Sequence, residues 1–132
     1  MRSEDLKEII KELLDKGYEG TYWDYKEDYT DCKEDKLIDI ICMANNIEGH
    51  DAYLIYGVDD NGNVKGIEKT TYSRYTTKSV TEFLRSKPFA GGYVPKTSVQ
   101  VIEIDGHECL LMVVWFFLSL LYQVSYKQLC VL

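Results

Sequence analysis

Residues 52–58, AYLIYGV, constrain the fold more than any other stretch. The run is short, almost unbrokenly apolar, and bounded by polar residues. A surface helix would space its apolar residues every three to four positions, so this pattern marks a buried strand. A buried strand needs a sheet around it, and the neighbouring sequence offers partners. Asp60-Asn61-Gly62 is a turn signal, and residues 64–67 are expected to return as the second arm of a hairpin. Val99, Val101 and Ile104 begin another strand, Asp105-Gly106 is strong hairpin-turn chemistry, and residues 109–114 form the return arm. Residues 21–27 bring Thr21, Tyr22, Trp23 and Tyr25, side chains that favour a strand.

Helices fall between these strands. Ser3 followed by Glu4 and Asp5 reads as an N-cap with acids in the first turn. Leu6, Ile9, Ile10, Leu13 and Leu14 then recur at helical spacing until Gly17. Leu37, Ile38, Ile41, Cys42 and Ala44 form the expected stripe of a second helix over 34–46, stopped by Asn45-Asn46. A third, over 72–84, would use Tyr72, Tyr75, Val80, Phe83 and Leu84, although its Ser/Thr content weakens it. Residues 87–92 and Pro95 make a loop. The order α β α β β α β β predicts one α+β domain with a mostly antiparallel sheet and about three helices, over residues 1–115. The length of 132 residues suits one domain with a core of its own.

Residues 116–132 form an atypical apolar tail. From Cys109 to Tyr126 no residue is charged, which is near the minimum for a membrane span. The same segment also supplies the hairpin's second arm, so no membrane association is expected. The tail is read instead as a truncated or altered end whose apolar surface would need a second copy or a missing downstream domain to cover it. Four cysteines without CxxC spacing and two histidines argue against zinc. No signal peptide is legible, and free thiols point to a cytoplasmic location.

Charge is unevenly distributed. Residues 1–61 hold 7 Lys/Arg against 17 Asp/Glu, and residues 62–96 hold 7 against 2. The overall charge of −7 argues against a generic nucleic-acid coat. A basic segment after an acidic one can nevertheless set a phosphate-attracting face beside carboxylates. Lys69, Arg74, Lys78, Arg85 and Lys87 are the candidate backbone contacts. Arg74, Lys78 and Arg85 would share a face of the third helix, and Tyr72, Tyr75 and Tyr93 are available for base stacking. A merely solvated helix face would carry the same charges.

The chemistry-bearing stretch is Asp24-Tyr25-Lys26. Residues two apart on a strand share a face, so Asp24 and Lys26 point one way and Trp23 and Tyr25 the other. A carboxylate that holds a divalent metal, beside a lysine that neutralises phosphate, suits phosphodiester cleavage. A plain surface strand alternating acid and base would look identical. Glu19, five residues earlier, joins Asp24 only if the chain turns between Gly17 and Gly20. Asp59 ends the buried run and is a further candidate acid, with Asp60 more simply a turn residue. No P-loop and no GxGxxG is present.

These pieces, in order, resemble the Schlafen AlbA-like domain. The resemblance lies in Glu19 with Asp24-Tyr25-Lys26, then Ile41-Cys42-Met43-Ala44-Asn45-Asn46, then Tyr56-Gly57-Val58-Asp59-Asp60-Asn61-Gly62 with Gly66-Ile67. It implies an α+β fold and a nucleic-acid partner. Vertebrate members are linked to RNA cleavage by a metal-dependent acidic triad, whereas bacterial members are described as DNA- or ATP-binding regulators. Carried over by position, the triad is Glu19, Asp24 and Asp59, with Lys26 as the motif lysine and Mg²⁺ or Mn²⁺ as the ion. The substrate would then be RNA sooner than DNA. The alternative is a non-catalytic DNA- or nucleotide-binding regulatory module. Two departures bear on the site. Asp24 stands where the pattern has Glu, and the pattern's Gly-Gly is replaced by Asn46-Ile47-Glu48-Gly49-His50-Asp51.

Overall fold

The apolar run at 52–56 is one of the two interior strands of a four-stranded sheet. A computed structural model describes residues 3–116. Its elements are α1 (Ser3–Lys16), β1 (Trp23–Lys26), α2 (Lys33–Ala44), β2 (Ala52–Tyr56), α3 (Thr77–Arg85), a 3-10 turn at Ala90–Gly92, β3 (Thr97–Ile104) and β4 (His107–Val114). The strand order is β1-β2-β4-β3. β1 runs parallel to β2, with α2 as the crossover, while β2–β4 and β3–β4 are antiparallel. The α+β domain with a mostly antiparallel sheet is therefore the architecture found.

Both faces of the sheet are covered, which explains why every residue of β2 is buried. On one face α1 lays Leu6, Ile10 and Leu13 over Trp23, Tyr25, Tyr53, Ile55, Leu111 and Val113. On the other, Leu37, Ile40 and Ala44 of α2 and Val80 and Leu84 of α3 pack on Leu54, Tyr56, Leu110, Met112 and Val114. The edges carry the polar residues. β1 is four residues long with Asp24 and Lys26 on it, the kind of short, charged strand that discourages further pairing.

Three sequence expectations change in detail. The return arm at 64–67 contracts to one bridge between Val58 and Val64, because both sides of β2 are already occupied by β1 and β4. The stripe of α2 is rotated: Leu37, Ile40 and Ala44 are buried together with Lys36, while Ile38 is 39 % exposed. α3 begins at Thr77, not at 72. Thr76 caps it by accepting from the Ser79 amide, and the Ser79 hydroxyl accepts from the Thr76 amide in return. Arg74 thus precedes the helix and does not share a helical face with Lys78 and Arg85. The tail expected over 116–132 lies outside the described residues beyond Phe116.

Candidate functional site

The alternation of β1 sorts its side chains as strand geometry requires. Trp23 and Tyr25 turn to the α1 face and are buried. Asp24 and Lys26 turn to the other. There the Lys26 amine pairs with Asp24 Oδ2 at 2.9 Å and with Asp39 Oδ1 of α2 at 3.3 Å. Burial alone would lower the Lys26 pKa, but the two carboxylates outweigh it and the net shift is upward. Asp39 is held above its ordinary value by burial, against the pull of Lys26.

Glu19 does come back to β1. Gly17, with φ +71°, ends α1 in the left-handed conformation. The Gly20 amide donates to the Trp23 carbonyl at 3.1 Å, which closes the turn. A Cβ at Gly20 would lie 2.2 Å from the Trp23 ring, so this glycine is needed for the close approach of the indole. Trp23 Nε1 in turn donates to the Tyr18 carbonyl at 2.7 Å. The turn delivers the Glu19 carboxyl to the backbone of β1, where Oε1 accepts from the Tyr25 amide at 3.0 Å. Glu19 is pushed up to about 7, first by its hydrogen bond with Asp24, then by burial and the Asp24 charge, against the Tyr25 amide. Two carboxyls bonded to each other need a proton between them. Glu19 therefore keeps its proton to a higher pH than an ordinary carboxyl.

Asp59 takes a different place. Its Oδ1 accepts from the amides of Asn61 and Asn63 at 2.9 Å each, and Oδ2 accepts from Asn63 Nδ2 at 3.3 Å. These bonds hold its pKa below the usual carboxylate value. The carboxylate shapes its own turn. It is the neighbouring Asp60 whose charge reaches Glu19. That turn is seated against the end of α1, where a Cβ at Gly62 would meet the Leu14 carbonyl at 2.6 Å. Among the described residues, no three His, Cys, Asp or Glu side chains come close enough to hold one metal ion.

The predicted basic contacts divide into two kinds. Arg74 is fully engaged inside the protein. Its Nε and Nη2 donate to the two oxygens of Glu108 at 2.8 and 3.3 Å, and Nη1 and Nη2 donate to the carbonyls of Thr70, Tyr72 and Ile67. These five bonds match the five donors of a guanidinium. Arg74 therefore fixes the 67–74 segment. Lys69, Lys78 and Arg85 are exposed, with Lys78 4.0 Å from Glu82 across a helical turn. The Lys87 amine lies over the Phe83 ring at 5.0 Å.

Two participants escaped the sequence. Asp39 had no signal, since its role depends on how α2 docks against β1. Lys36 did have one: it stands four residues before Ile40 and eight before Ala44, on the buried stripe itself. Beside this cluster a cleft of about 350 Å³ is lined by Lys26, Lys36, Asp39 and Tyr56, among others. The loop that replaces the family's Gly-Gly is tied down by Asn46, whose side chain donates to the Met43 and His50 carbonyls and accepts from the His50 amide.

The fold and this cluster define a class: a small α+β domain with a charged site on its parallel edge strand. Within that class the chain belongs to the Schlafen AlbA_2 family, whose pattern matches residues 19–127. The matched region includes Glu19, β1, α2 and the turn at Asp59. No curated protein matches the chain significantly. Family membership carries a nucleic-acid-related function at that coarse level. Among the described residues no helix is long and apolar enough to cross a membrane.

Proposed function

We propose that this domain binds RNA and cleaves its backbone at the Glu19–Asp24–Lys26 cluster. The observation that carries the reading is geometric: the turn brings the Glu19 carboxyl onto β1, where it accepts from the Tyr25 amide, beside Asp24 and its 2.9 Å pair with the Lys26 amine. Glu19, at about 7, is poised to give or take a proton under ordinary conditions. Lys26 offers a fixed positive charge to a phosphate, and Asp39 keeps it in place. The exposed cations Lys69, Lys78 and Arg85, with Lys87, would hold flanking phosphates, while Arg74 positions the segment that carries Lys69.

A Mg²⁺ ion commonly takes only one or two protein carboxylates and completes its shell with water and substrate phosphate. Glu19 and Asp24 could supply those two for Mg²⁺ or Mn²⁺, once deprotonated. The ion would contribute charge neutralisation and a more acidic bound water. Asp59 is not needed in that set. Such binding would compete with the proton on Glu19, so metal dependence should strengthen as pH rises through about 7.

The test is cleavage of a structured RNA hairpin by the full chain. Glu19→Ala and Asp24→Ala should each abolish cutting while far-UV circular dichroism stays native. Full activity in both variants would sink the nuclease reading. One observation favours the alternative, a non-catalytic DNA- or nucleotide-directed module: Lys26 is already bracketed by two carboxylates. Retained, metal-independent binding with no cleavage by the wild type would decide for that module.

A further inference from the structure

The α2/α3 side of the sheet holds a second cleft, of about 540 Å³, within the range of small-molecule sites. Its apolar walls include Ile40, Val80, Phe83 and Met112, and the charged side chains of Asp31, Lys33 and Arg74 also line it. Its polar features are unusual for such a pocket. Lys36 lines it and is only 6 % exposed. The amine donates to the Thr30 carbonyl at 2.6 Å. A lysine has three donors, and among the described residues no carboxylate lies within ion-pair distance of this one. Instead three rings surround it: Tyr29, Tyr56 and Tyr75, at 5.2, 5.1 and 5.0 Å. Ring faces offset part of the cost of burying the charge but accept no full hydrogen bond. Tyr75 lines the same cleft, and its hydroxyl is buried with no partner among the described residues.

A buried amine with no carboxylate in direct contact and a buried hydroxyl without an acceptor ask for the same thing. We infer that this cleft binds a small organic anion, an apolar or flat body carrying one carboxylate- or phosphate-type group, with the anionic oxygens against Lys36 and Tyr75. The apolar body would lie along Val80, Phe83 and Met112. Arg74, also in the lining, does not compete, because Glu108 already pairs with it. Lys36 also lines the smaller cleft that holds Lys26 and Asp39, so it forms part of the partition between the two. The ligand site is nevertheless separate from the proposed cleavage cluster and does not depend on it.

The probe is 1-naphthoate, compared with its neutral counterpart 1-naphthalenemethanol, by titration calorimetry on the full chain. A charge-assisted hydrogen bond in a buried site should favour the anion by about tenfold or more. Equal affinity for the two probes, or no binding of either at about millimolar concentration, overturns the inference. Lys36→Met should remove the preference for the anion, with native circular dichroism as the check on folding. Tyr75→Phe, which keeps the ring, should weaken naphthoate alone by about threefold. An anion preference that survives in both folded variants would place the bound molecule elsewhere and overturn the assignment. Should Lys36→Met not fold, the two probes on the wild type and the Tyr75→Phe comparison still decide.

Discussion

The two faces of the sheet are built to different standards. On the α1 face the buried polar groups are satisfied. The Tyr25 hydroxyl donates to the Leu13 carbonyl, and Trp23 Nε1 to the Tyr18 carbonyl. Leu13 lies in the last turn of α1, where carbonyls have no intrahelical donor, so Tyr25 caps the helix from the strand. On the α2/α3 face three buried hydroxyls, of Tyr56, Tyr75 and Thr97, have no partner among the described residues. The same face holds the buried Lys36 and the half-buried Asp39. Stability asks for complete satisfaction, and sites that bind or react leave groups open. The difference supports a division in which α1 holds the domain together and the α2/α3 face carries the proposed sites.

The largest effect should follow from breaking the satisfied face. Ile10 is fully buried under α1. Ile10→Ala should cost about 3–4 kcal/mol, measured as a lower urea midpoint at unchanged slope. That loss approaches the whole stability of many small domains. A change below about 1 kcal/mol would mean that α1 is loosely docked, and the comparison would fail.

A matched pair of tyrosines sharpens the contrast at lower amplitude. Tyr25→Phe removes a donor whose acceptor is buried and should cost about 1–2 kcal/mol. Tyr56→Phe removes a hydroxyl that has no partner and should be neutral or slightly stabilising. Burial already pushes the Tyr56 hydroxyl pKa far upward, with the Asp39 charge adding to it, so the group has nothing to lose as an anion. Equal losses in the two variants would show that Tyr56 has an acceptor after all.

Much of the satisfied face was legible in the sequence, and little of the open one. Leu6, Ile10 and Leu13 announce themselves by spacing, and the alternation of Trp23 and Tyr25 against Asp24 and Lys26 follows from strand periodicity alone. Gly17 and Gly20 suggested a turn, but only the packing of Trp23 over Gly20 shows that Glu19 must come back. Asp59 was ambiguous because an acid at a strand end can serve a ligand or its own turn with the same residues, and here it accepts from the Asn61 and Asn63 amides. Arg74 misled for a similar reason. Helical spacing assumed a helix that the Thr76–Ser79 cap starts later. Asp39 was hidden, and the surroundings of Lys36 with it, because they are made by β1 and by tyrosines 7, 20 and 39 residues distant from Lys36 along the chain. Local periodicity carries no information about such meetings.

The smallest effect tests the acid pair itself. Glu19 has a higher pKa in the folded chain, about 7, than its ordinary value of 4.5. Between these values the folded state binds more protons than the unfolded one, so stability falls as pH rises through the window. Below 4.5 both states are protonated and the effect is absent; above about 7 it is complete. Gln at this position cannot lose a proton, keeps an oxygen for the Tyr25 amide, and donates to Asp24 at every pH. Glu19→Gln should therefore match the wild type at pH 4 and exceed it at pH 8. Glu19 is largely exposed, so solvent screening limits the gain to about 1 kcal/mol. Urea midpoints at the two pH values provide the measurement. A gap that does not widen with pH would show that the Glu19 pKa is not raised by folding. The cleavage reading would then lose its group poised to give or take a proton, while the Lys36 cleft would stand unaffected.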